Sequence, residues 1–388
     1  MRSVGVVTVG RSDYGIYRSV LRAIAAEADL DLQLYVTGMH LAPEFGSTVS
    51  MIEADGYPIA ERIETLISSD SPDGIGKAMG LGLLGFSQAF ARHRPDLLVV
   101  LGDRFDMYPA ALAALPHHIP VAHIHGGEVS FGAIDDSLRH SLTKLSHLHF
   151  VATPAYARRV VQLGEEPWRV TVSGAPALDE LETQPRLSAK DLESRFGISL
   201  AKPPLLVTFH PVTLEYDRTP EQIAELLAAL DDAGGPVIFT APNADTAGRI
   251  VRGAVEKYVA GRRDAWLVEN FGQQAYFSIL PLAAAMVGNS SSGIIEAASF
   301  GLPVVNIGNR QAGRDRGPNV IDAPHTRNEI AAAIRRATAP DFRAEIQAVK
   351  TPYQSATGSA ATTIVQRLKA VALNQDLLCK KFHDLPVS

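Results

Sequence analysis

The 388-residue sequence has a single cysteine, Cys379, only two tryptophans, no apolar stretch long enough to cross a bilayer and no long basic run. One cysteine cannot form an internal disulfide, and its place near the C-terminus argues against a catalytic thiol. Without an apolar segment of about 20 residues, the sequence predicts no membrane span. The formal net charge of −6 predicts no nucleic-acid partner. The first apolar run is too short for the core of a secretory signal, so we expect a cytoplasmic protein.

The residues that are present have the composition of a globular α/β enzyme, with 46% hydrophobic and 20% charged residues. Short apolar runs alternate with longer helical patterns, which is typical of β–α–β units and a mostly parallel sheet. Strands are predicted over residues 4–9, 32–36, 59–63, 97–101, 121–124, 148–151, 205–209, 237–240, 266–268, 284–287 and 304–307. The predicted fold class is α/β, with two doubly wound, Rossmann-like domains facing a cleft.

A domain boundary is expected near residues 174–186, where Pro, Gly and charged residues occur without a predicted strand. We predict an N-terminal domain over residues 1–175, a C-terminal domain over 176–355, and a final helix and tail over 356–388 that packs back on the first domain. Ligands of open α/β sheets bind at the carboxyl ends of the strands, so residues that follow predicted strands are candidate site residues.

The most informative stretch is the sequence GNSSSG at residues 288–293, which follows an apolar run and precedes a helical pattern. Hydroxyl groups of Ser290, Ser291 and Ser292 and unpaired backbone N–H groups gather at a predicted helix N-terminus, which favours a phosphate group. Glu296 falls one turn later and is placed to accept hydrogen bonds from a sugar diol. The plainer interpretation is an ordinary strand–turn–helix with serine caps.

Charged side chains also follow strands of the first half. Arg11 lies in the turn after the first strand, where it can pair with a phosphate or remain a solvated surface arginine. Asp103 and Arg104 follow the fourth strand. A carboxylate at this place is a candidate acid or base, although an aspartate that only caps a helix N-terminus would show the same pattern.

Histidines and further carboxylates follow the fifth strand. Alternate strand residues face one side, so His123 and His125 are expected to project together, either as a metal pair or for acid–base chemistry. Glu128 lies three residues after His125. A metal site needs a third ligand, which Asp103, Asp135 or Asp136 would supply.

The pair Asp135 and Asp136 opens a predicted helix that also carries Arg139 and His140. Acidic residues cap a helix start well, which fully explains one of the two. In the second half, His210 and Asn243 follow two predicted strands and can touch a diphosphate.

The glycines Gly80, Gly82 and Gly85 match G-x-G-x-x-G but do not indicate a dinucleotide site. That fingerprint follows a strand directly and opens a helix, whereas these glycines lie inside a helical pattern. We interpret them as glycines that let helices pack closely.

The ordered motifs GRSDYG, GDRFD, HIHGGE, IDDSLRH, FHPVT, PNAD, GNSSSG and NIGNRQAGR resemble those of the hydrolysing UDP-N-acetylglucosamine 2-epimerases. The resemblance runs from the first strand to the tail KKFHDLP. It implies the two-domain fold of the GT-B glycosyltransferases, with proton-transfer residues in the N-terminal domain and nucleotide-diphosphate binding in the C-terminal domain.

The resemblance also implies the chemistry. A base removes the proton on C2 of the sugar while the C1–oxygen bond to UDP breaks, and water then adds to the 2-acetamidoglucal to give N-acetylmannosamine. The implied catalytic residues are Asp103, His125, Glu128, Asp135, Asp136 and His210. The implied substrate- and nucleotide-binding residues are Arg11, Asp13, Arg104, Arg139, Asn243, Ser290, Ser291, Ser292, Glu296 and Arg310.

In the vertebrate branch of the family a glutamate stands at the position of His125, so the carboxylate role falls here to Glu128 or to the imidazole itself. Close relatives act on UDP- or GDP-linked 2,4-diacetamido-2,4,6-trideoxyhexoses, which gives a second candidate substrate. Three competing functions are a GT-B glycosyltransferase, a metal-dependent hydrolase and a non-catalytic nucleotide-sugar sensor. We expect no cofactor and no metal, a nucleotide-sugar substrate, and a homo-oligomer, either a dimer or a tetramer.

Overall fold

The computed structural model describes residues 1–43, 46–67, 69, 71–131, 133–181, 184–241, 247–347 and 351–385. The chain divides into two compact units. The first unit contains Met1–Glu128, Asp135–Glu180 and Tyr353–Ser388, and the second contains Val129–Ile134 and Leu181–Pro352. The described part of the chain holds no helix with the length and apolar character that a membrane crossing requires.

The strands are parallel and lie in two sheets, one per unit. In chain order they are β1 (Arg2–Thr8), β2 (Leu30–Thr37), β3 (Ile59–Ile63), β4 (Leu97–Leu101), β5 (Val121–Ile124), β6 (Leu148–Val151), β7 (Val170–Val172), β8 (Leu205–Thr208), β9 (Val237–Thr240), β10 (Ala265–Val268), β11 (Ala285–Gly288), β12 (Val304–Ile307) and β13 (Val320–Ala323). The strand order is β3-β2-β1-β4-β5-β6-β7 in the first unit and β10-β9-β8-β11-β12-β13 in the second. Both orders reverse direction once, between β1 and β4 and between β8 and β11, as in doubly wound folds.

Helices connect the strands. They are α1 (Arg11–Ala25), α2 (Val49–Ala54), α3 (Pro72–Arg92), α4 (Tyr108–Ala114), α5 (Asp135–Leu145), α6 (Pro154–Gln162), α7 (Ala189–Phe196), α8 (Thr219–Ala233), α9 (Gly248–Ala260), α10 (Gly272–Ile279), α11 (Ser291–Ile295), α12 (Arg327–Thr338), α13 (Pro340–Glu345), α14 (Ala360–Ala370) and α15 (Gln375–Leu378). A parallel strand pair needs such a crossover, and the helices cover both faces of each sheet with apolar side chains.

Each unit has its own core. In the first unit the central strands β1 and β4 bury nearly every side chain, and Ile364 and Leu368 of α14 belong to the same cluster. In the second unit β8, β11 and β12 pack against α8 and α12. Removing apolar side chains from water is the main stabilising contribution to such layers.

The predicted α/β class with two doubly wound halves is confirmed. Two edge strands, β7 and β13, and the helices α6, α7, α13 and α15 were not predicted. The pattern after GNSSSG predicts a helix over residues 293–300. The observed helix α11 begins two residues earlier, at Ser291, and ends at Ile295, after which a 3₁₀ turn covers Ala297–Phe300.

The G-x-G-x-x-G glycines lie inside α3, as expected, and two of them lie where the chain packs closely. A Cβ atom on Gly82 would come within 3.0 Å of Pro109 in α4, and one on Gly85 would overlap Ile63 of β3. Gly80 faces open space instead. Close packing therefore explains Gly82 and Gly85 but not Gly80.

Candidate functional site

Four polar side chains form one cluster at the carboxyl ends of β4 and β5. Arg139 Nη2 donates to Asp103 Oδ2, and its Nη1 donates to the main-chain oxygen of His125 over 2.9 Å. Arg139 Nη1 also lies 3.5 Å from Glu128 Oε2, and His125 Nδ1 lies 2.6 Å from Glu128 Oε1. The guanidinium contacts both carboxylates, which offsets part of the cost of burying their charges.

Strand pairing explains why these residues meet. Leu101 of β4 is paired with Ile124 of β5, so the residues that follow the two strands are neighbours. The Asp103 side chain is 18% exposed, whereas the Arg139 side chain is 2% exposed. His125 and Glu128 are also buried. Asp103 is therefore the member of the cluster that solvent reaches most.

The two histidines of this segment have different surroundings. His123 lies in β5, and its Nε2 is 2.7 Å from the main-chain oxygen of Gly102. Burial lowers the pKa of His123 to about 3, so its ring is neutral at physiological pH. His125 lies beyond the end of β5 with a φ of 64°, in the left-handed region, so strand alternation does not apply to it. Across the described residues, no group of three or more His, Cys, Asp and Glu side chains is arranged to hold a metal ion.

The carboxylates Asp135 and Asp136 occupy the first turn of α5, one turn before Arg139. Asp136 Oδ2 lies 3.6 Å from His140 Nε2, and both side chains are partly exposed. Burial is the main cause of the lowered pKa of His140, and Asp136 opposes it. Asp136 and His140 thus form an accessible polar pair on the helix that carries Arg139.

The turn after β1 is held by a buried carboxylate. Asp13 Oδ2 accepts from Thr8 Oγ1 over 2.7 Å and from the Val9 amide over 3.0 Å, and Asp13 Oδ1 accepts from the Gly10 amide over 2.6 Å. Burial raises the pKa of Asp13 to about 6. A substrate contact of Asp13 stays a prediction, since all these bonds hold the turn. Arg11 is the first residue of α1, directly after that turn.

Arg104 and Asp106 lie on the same edge of the sheet. Arg104 Nε donates to Asp106 Oδ1 over 3.0 Å. Burial raises the pKa of Asp106, and Arg104 opposes this rise. The predicted substrate-binding role of Arg104 therefore competes with an ion pair inside the unit.

In the second unit, Asn289 joins two loops at the carboxyl ends of β8 and β11. It accepts from the His210 amide over 2.7 Å and donates to the main-chain oxygen of His210 over 2.8 Å. Arg310 Nη1 and Gln311 Nε2 donate to the main-chain oxygen of Asn289 over 3.2 and 2.8 Å. Gly288 before it has a φ of 132°, and a Cβ atom there would overlap the oxygen of Thr208. Only glycine allows this approach of β11 to β8.

The serines of the GNSSSG segment are in the predicted order at the start of α11. Ser290 is the N-cap residue, and its side chain accepts from the Ser292 amide over 3.3 Å. Ser292 Oγ donates to Glu296 Oε2 and lies 2.6 Å from the Tyr276 hydroxyl. Burial raises the pKa of Glu296 to about 7. Because α11 has only five residues, its dipole adds little, and hydroxyl and N–H groups are the principal donors for an anion.

Sequence reasoning missed three residues of these two edges. His40 follows β2, and its Nε2 lies 2.9 Å from Thr8 Oγ1. Asn289 follows β11 directly. His40 and Asn289 are polar residues shortly after a strand, so the pattern used for the other site residues could have found them. Tyr276 lies in α10, and only its contact with Ser292 places it at the site. The predicted residue Asn243 lies outside the described residues.

Comparison with known proteins agrees with this architecture. A solved structure of UDP-GlcNAc 2-epimerase from Neisseria meningitidis bound to UDP-GlcNAc superimposes with a TM-score of 0.78 at 18% identity, and the match covers 95% of this chain and 99% of that one. At this identity the similarity shows the fold alone, which is the predicted GT-B-like arrangement.

Two relatives are more similar in sequence. The GDP/UDP-N,N'-diacetylbacillosamine 2-epimerase (hydrolyzing) of Campylobacter jejuni is 40% identical over 344 residues, covering 88% of this chain and 89% of the relative. The UDP-N,N'-diacetylbacillosamine 2-epimerase (hydrolyzing) of Legionella pneumophila is 37% identical over 383 residues, covering 98% of this chain and 99% of the relative. The family model for UDP-N-acetylglucosamine 2-epimerase matches residues 22–369. This chain therefore belongs to the UDP-N-acetylglucosamine 2-epimerase family and is a nucleotide-sugar 2-epimerase.

Proposed function

We propose that this chain is a hydrolysing 2-epimerase of nucleotide-linked N,N'-diacetylbacillosamine, a 2,4-diacetamido-2,4,6-trideoxyhexose carried on UDP or GDP. The two relatives described above support this sugar, because both bear its name and match across most of their length. The family description and the Neisseria structure support UDP-N-acetylglucosamine as the second candidate substrate.

The proposed reaction has two stages. A base takes the proton from C2 while the C1–oxygen bond breaks, which releases the nucleoside diphosphate and leaves a 2-acetamidoglycal. Water then adds its oxygen to C1 as a proton returns to C2 on the opposite face. The products are the free 2-epimeric sugar and UDP or GDP. Both stages need groups that exchange a proton with carbon, and each such group contributes roughly 10²–10⁴ in rate.

The cluster formed by Asp103, His125, Glu128 and Arg139 is the observation that carries the proposal. Asp103 is the most exposed carboxylate there, and Arg139 fixes its orientation. His125 Nδ1 is held by Glu128, so its Nε2 is the ring nitrogen left for substrate. A histidine oriented by a buried carboxylate is a common arrangement for a general base. We assign the two proton transfers to Asp103 and His125, with Glu128 and Arg139 as positioning residues.

The leaving diphosphate is assigned to the second unit. Ser290, Ser291 and the side chain of Arg310 surround the turn after β11, and the loop of His210 is tied to that turn through Asn289. Hydroxyl groups and a guanidinium are good partners for phosphate oxygens. Glu296 is assigned to the ribose hydroxyls, and Asp135 and Asp136 to the sugar.

Incubation in heavy water tests the reaction. The purified protein is given UDP-N,N'-diacetylbacillosamine, its GDP analogue and UDP-N-acetylglucosamine in parallel, with no acceptor. We expect stoichiometric nucleoside diphosphate and a free sugar carrying deuterium at C2, with the highest kcat/KM for a diacetamido substrate. Nuclear magnetic resonance of the sugar and chromatography of the nucleotide give both readouts.

Three results would contradict the proposal. Release of nucleotide without deuterium at C2 would exclude elimination and hydration. A strict requirement for an acceptor would indicate a glycosyltransferase. A higher kcat/KM for UDP-N-acetylglucosamine would leave the reaction standing and overturn the proposed substrate.

A further inference from the structure

A lysine of the C-terminal tail lies against the end of the helix that carries Arg139. Lys380 Nζ donates to the main-chain oxygens of Ser146 and Lys144 over 2.6 and 2.8 Å, and it lies 3.4 Å from that of Thr143. The last carbonyl groups of a helix have no partner within the helix, and a cation there interacts favourably with the helix dipole. Lys380 therefore caps the C-terminus of α5.

The same ammonium group pairs with a buried carboxylate. Lys380 Nζ lies 2.7 Å from Glu165 Oε2, and the side chains are 16% and 0% exposed. Glu165 also accepts from Lys144 Nζ over 2.6 Å and lies 3.0 Å from His149 Nε2 in β6. Lys380 Nζ thus has four oxygen acceptors within 3.4 Å, three on the main chain and one on Glu165, whereas a solvated surface lysine is bound mainly by water.

Other contacts hold this part of the tail on the first unit. Arg169 donates to the main-chain oxygens of Leu377 and Asp376 over 2.8 Å each. The His383 amide donates to the oxygen of Gly164 over 2.9 Å, and the Phe382 ring lies against Gly164. The segment around Lys380 is thus anchored on both sides.

The capped turn is next to the proposed catalytic cluster. Thr143 lies one turn after Arg139, and its Oγ1 donates to the main-chain oxygen of Arg139 over 3.2 Å. A Cβ atom on Gly126, the residue after His125, would lie 3.3 Å from Thr143 Oγ1. Movement of the last turn of α5 would therefore displace both Arg139 and the loop of His125.

We propose that Lys380 is a positioning residue for the reaction: by capping α5 and pairing with Glu165, it holds Arg139 in register with Asp103, Glu128 and His125. The catalytic consequence rests on the proposed function. A misplacement of about 1 Å in such a constellation can cost up to about 10²-fold in rate.

The test compares Lys380→Met with Lys381→Met, the same change at the next residue, whose side chain is exposed. Assays at pH 7 keep the amine charged, since burial lowers the pKa of Lys380 to about 8. We expect Lys380→Met to lower kcat per folded molecule by about 10- to 100-fold with little change in KM. Lys381→Met is expected to keep wild-type values.

Chemical rescue separates positioning from general damage. Cys379 is the only cysteine, so Cys379→Ser with Lys380→Cys has one thiol, which bromoethylamine converts into a lysine analogue. Alkylation is expected to restore kcat relative to the Cys379→Ser parent. If Lys380→Met does not fold, Lys380→Gln, which has N–H donors but no charge, replaces it under the same criteria.

Hydrogen exchange gives a readout that does not depend on activity. Amides of α5 are expected to exchange faster in Lys380→Met than in Lys381→Met. Wild-type kcat per folded molecule in the Lys380 variant, or unchanged α5 exchange, would overturn the inference. If the wild-type protein releases no nucleoside diphosphate, the proposed function fails, while the exchange comparison still tests the cap.

Discussion

Arg139 is the residue on which the polar cluster of the first unit depends. Its guanidinium contacts Asp103, Glu128 and the main-chain oxygen of His125. Lysine has a single ammonium group and cannot reproduce these divergent contacts. Without this cation, Asp103 and the buried Glu128 would both lose a charged partner, which is costly. Arg139 thus combines a structural role with the positioning role proposed above.

Asp103→Asn is expected to lower kcat by about 10² to 10⁴, with a much smaller effect on KM, because an amide cannot carry out the proton transfer that we propose for Asp103. Asn keeps the shape of the side chain, so the fold should persist. Steady-state kinetics on the nucleotide sugar provide the measurement. Asp73→Asn, at an exposed position of α3, is the matched control and should behave as wild type. A wild-type kcat in Asp103→Asn would remove Asp103 from the proton-transfer pair.

Glu296→Gln is expected to change how stability depends on pH. The pKa of Glu296 is raised by burial from 4.5 to about 7, so the folded state holds a proton that the unfolded state loses. Stability from this group is therefore present at low pH and is lost as the pH rises from about 4.5 to about 7. The Tm of the variant minus the Tm of wild type should therefore be larger at pH 8 than at pH 5. Calorimetry at both pH values measures the difference.

Glu221→Gln, at an exposed position of α8, is the control for that comparison. If the Tm difference between Glu296→Gln and wild type is the same at pH 5 and pH 8, Glu296 does not titrate as inferred.

Much of the site is visible in the sequence because polar residues follow buried strands. Asp103, His125, His210 and Ser290 all lie at the strand ends where the pattern predicts them. What the sequence does not show is how each side chain is used. The bonds of Asp13 stay within its own turn, and residue type alone does not say whether a carboxylate after a strand turns into that turn or toward a ligand. The positive φ of His125 has no local signal either, because a left-handed conformation is uncommon for residues other than glycine.

Helix α3 offers a direct comparison of two glycines. Gly80 faces open space, so Gly80→Ala should stabilise the protein by about 0.5–1 kcal/mol through helix propensity. Gly85→Ala gains the same propensity but forces a methyl group into Ile63 of β3, and overpacking costs about 1–3 kcal/mol. Urea unfolding followed by circular dichroism should show a higher free energy of unfolding than wild type for Gly80→Ala and a lower one for Gly85→Ala. Equal stabilisation would mean that α3 can move away from β3.

The element pattern was predictable wherever apolar runs are continuous. β4 and β5 bury every residue, and their bounds agree with the predicted ones. β7 and β13 were missed because each is an edge strand with a partly exposed pattern and a short apolar run. The sequence predicts α11 to be longer than it is. The chain changes from α-helical to 3₁₀ geometry after Glu296, and no residue near Glu296 indicates this change.

Nucleotide binding should depend on the second unit. A ligand that binds only the folded state raises stability by about 2.7 kcal/mol at a hundredfold excess over Kd. UDP or GDP should therefore raise the Tm of wild type and of Asp103→Asn equally. Arg310→Ala should reduce the shift at equal nucleotide concentration, because a charged hydrogen bond contributes about 1.5–3 kcal/mol. Scanning fluorimetry with nucleotide titration measures both.

Each variant in that titration is compared with its own nucleotide-free Tm, so a change in intrinsic stability cancels. A full shift in Arg310→Ala, or none in Asp103→Asn, would contradict the assignment of the diphosphate to the second unit.

The division of the chain was harder to foresee than the two sheets. The sequence shows a change of composition near residue 180. No such change marks the six-residue segment Val129–Ile134, which lies in the first half of the chain but belongs to the second unit. Arg314 Nε donates to the main-chain oxygen of Val129 over 3.0 Å, and the Ile134 amide donates to Thr213 Oγ1 over 2.9 Å. Local sequence patterns cannot predict such contacts, because the residues that form them are far apart in the sequence.

The first unit is assembled from both ends of the chain, since Tyr353–Ser388 belongs to it and α14 contributes Ile364 and Leu368 to its core. During translation the ribosome must therefore finish the whole second unit before the first can close its hydrophobic interior. Until then the nascent chain exposes the surface of α1 that α14 later covers. A ribosome stalled before codon 353 would leave this apolar surface open to chaperones and proteases.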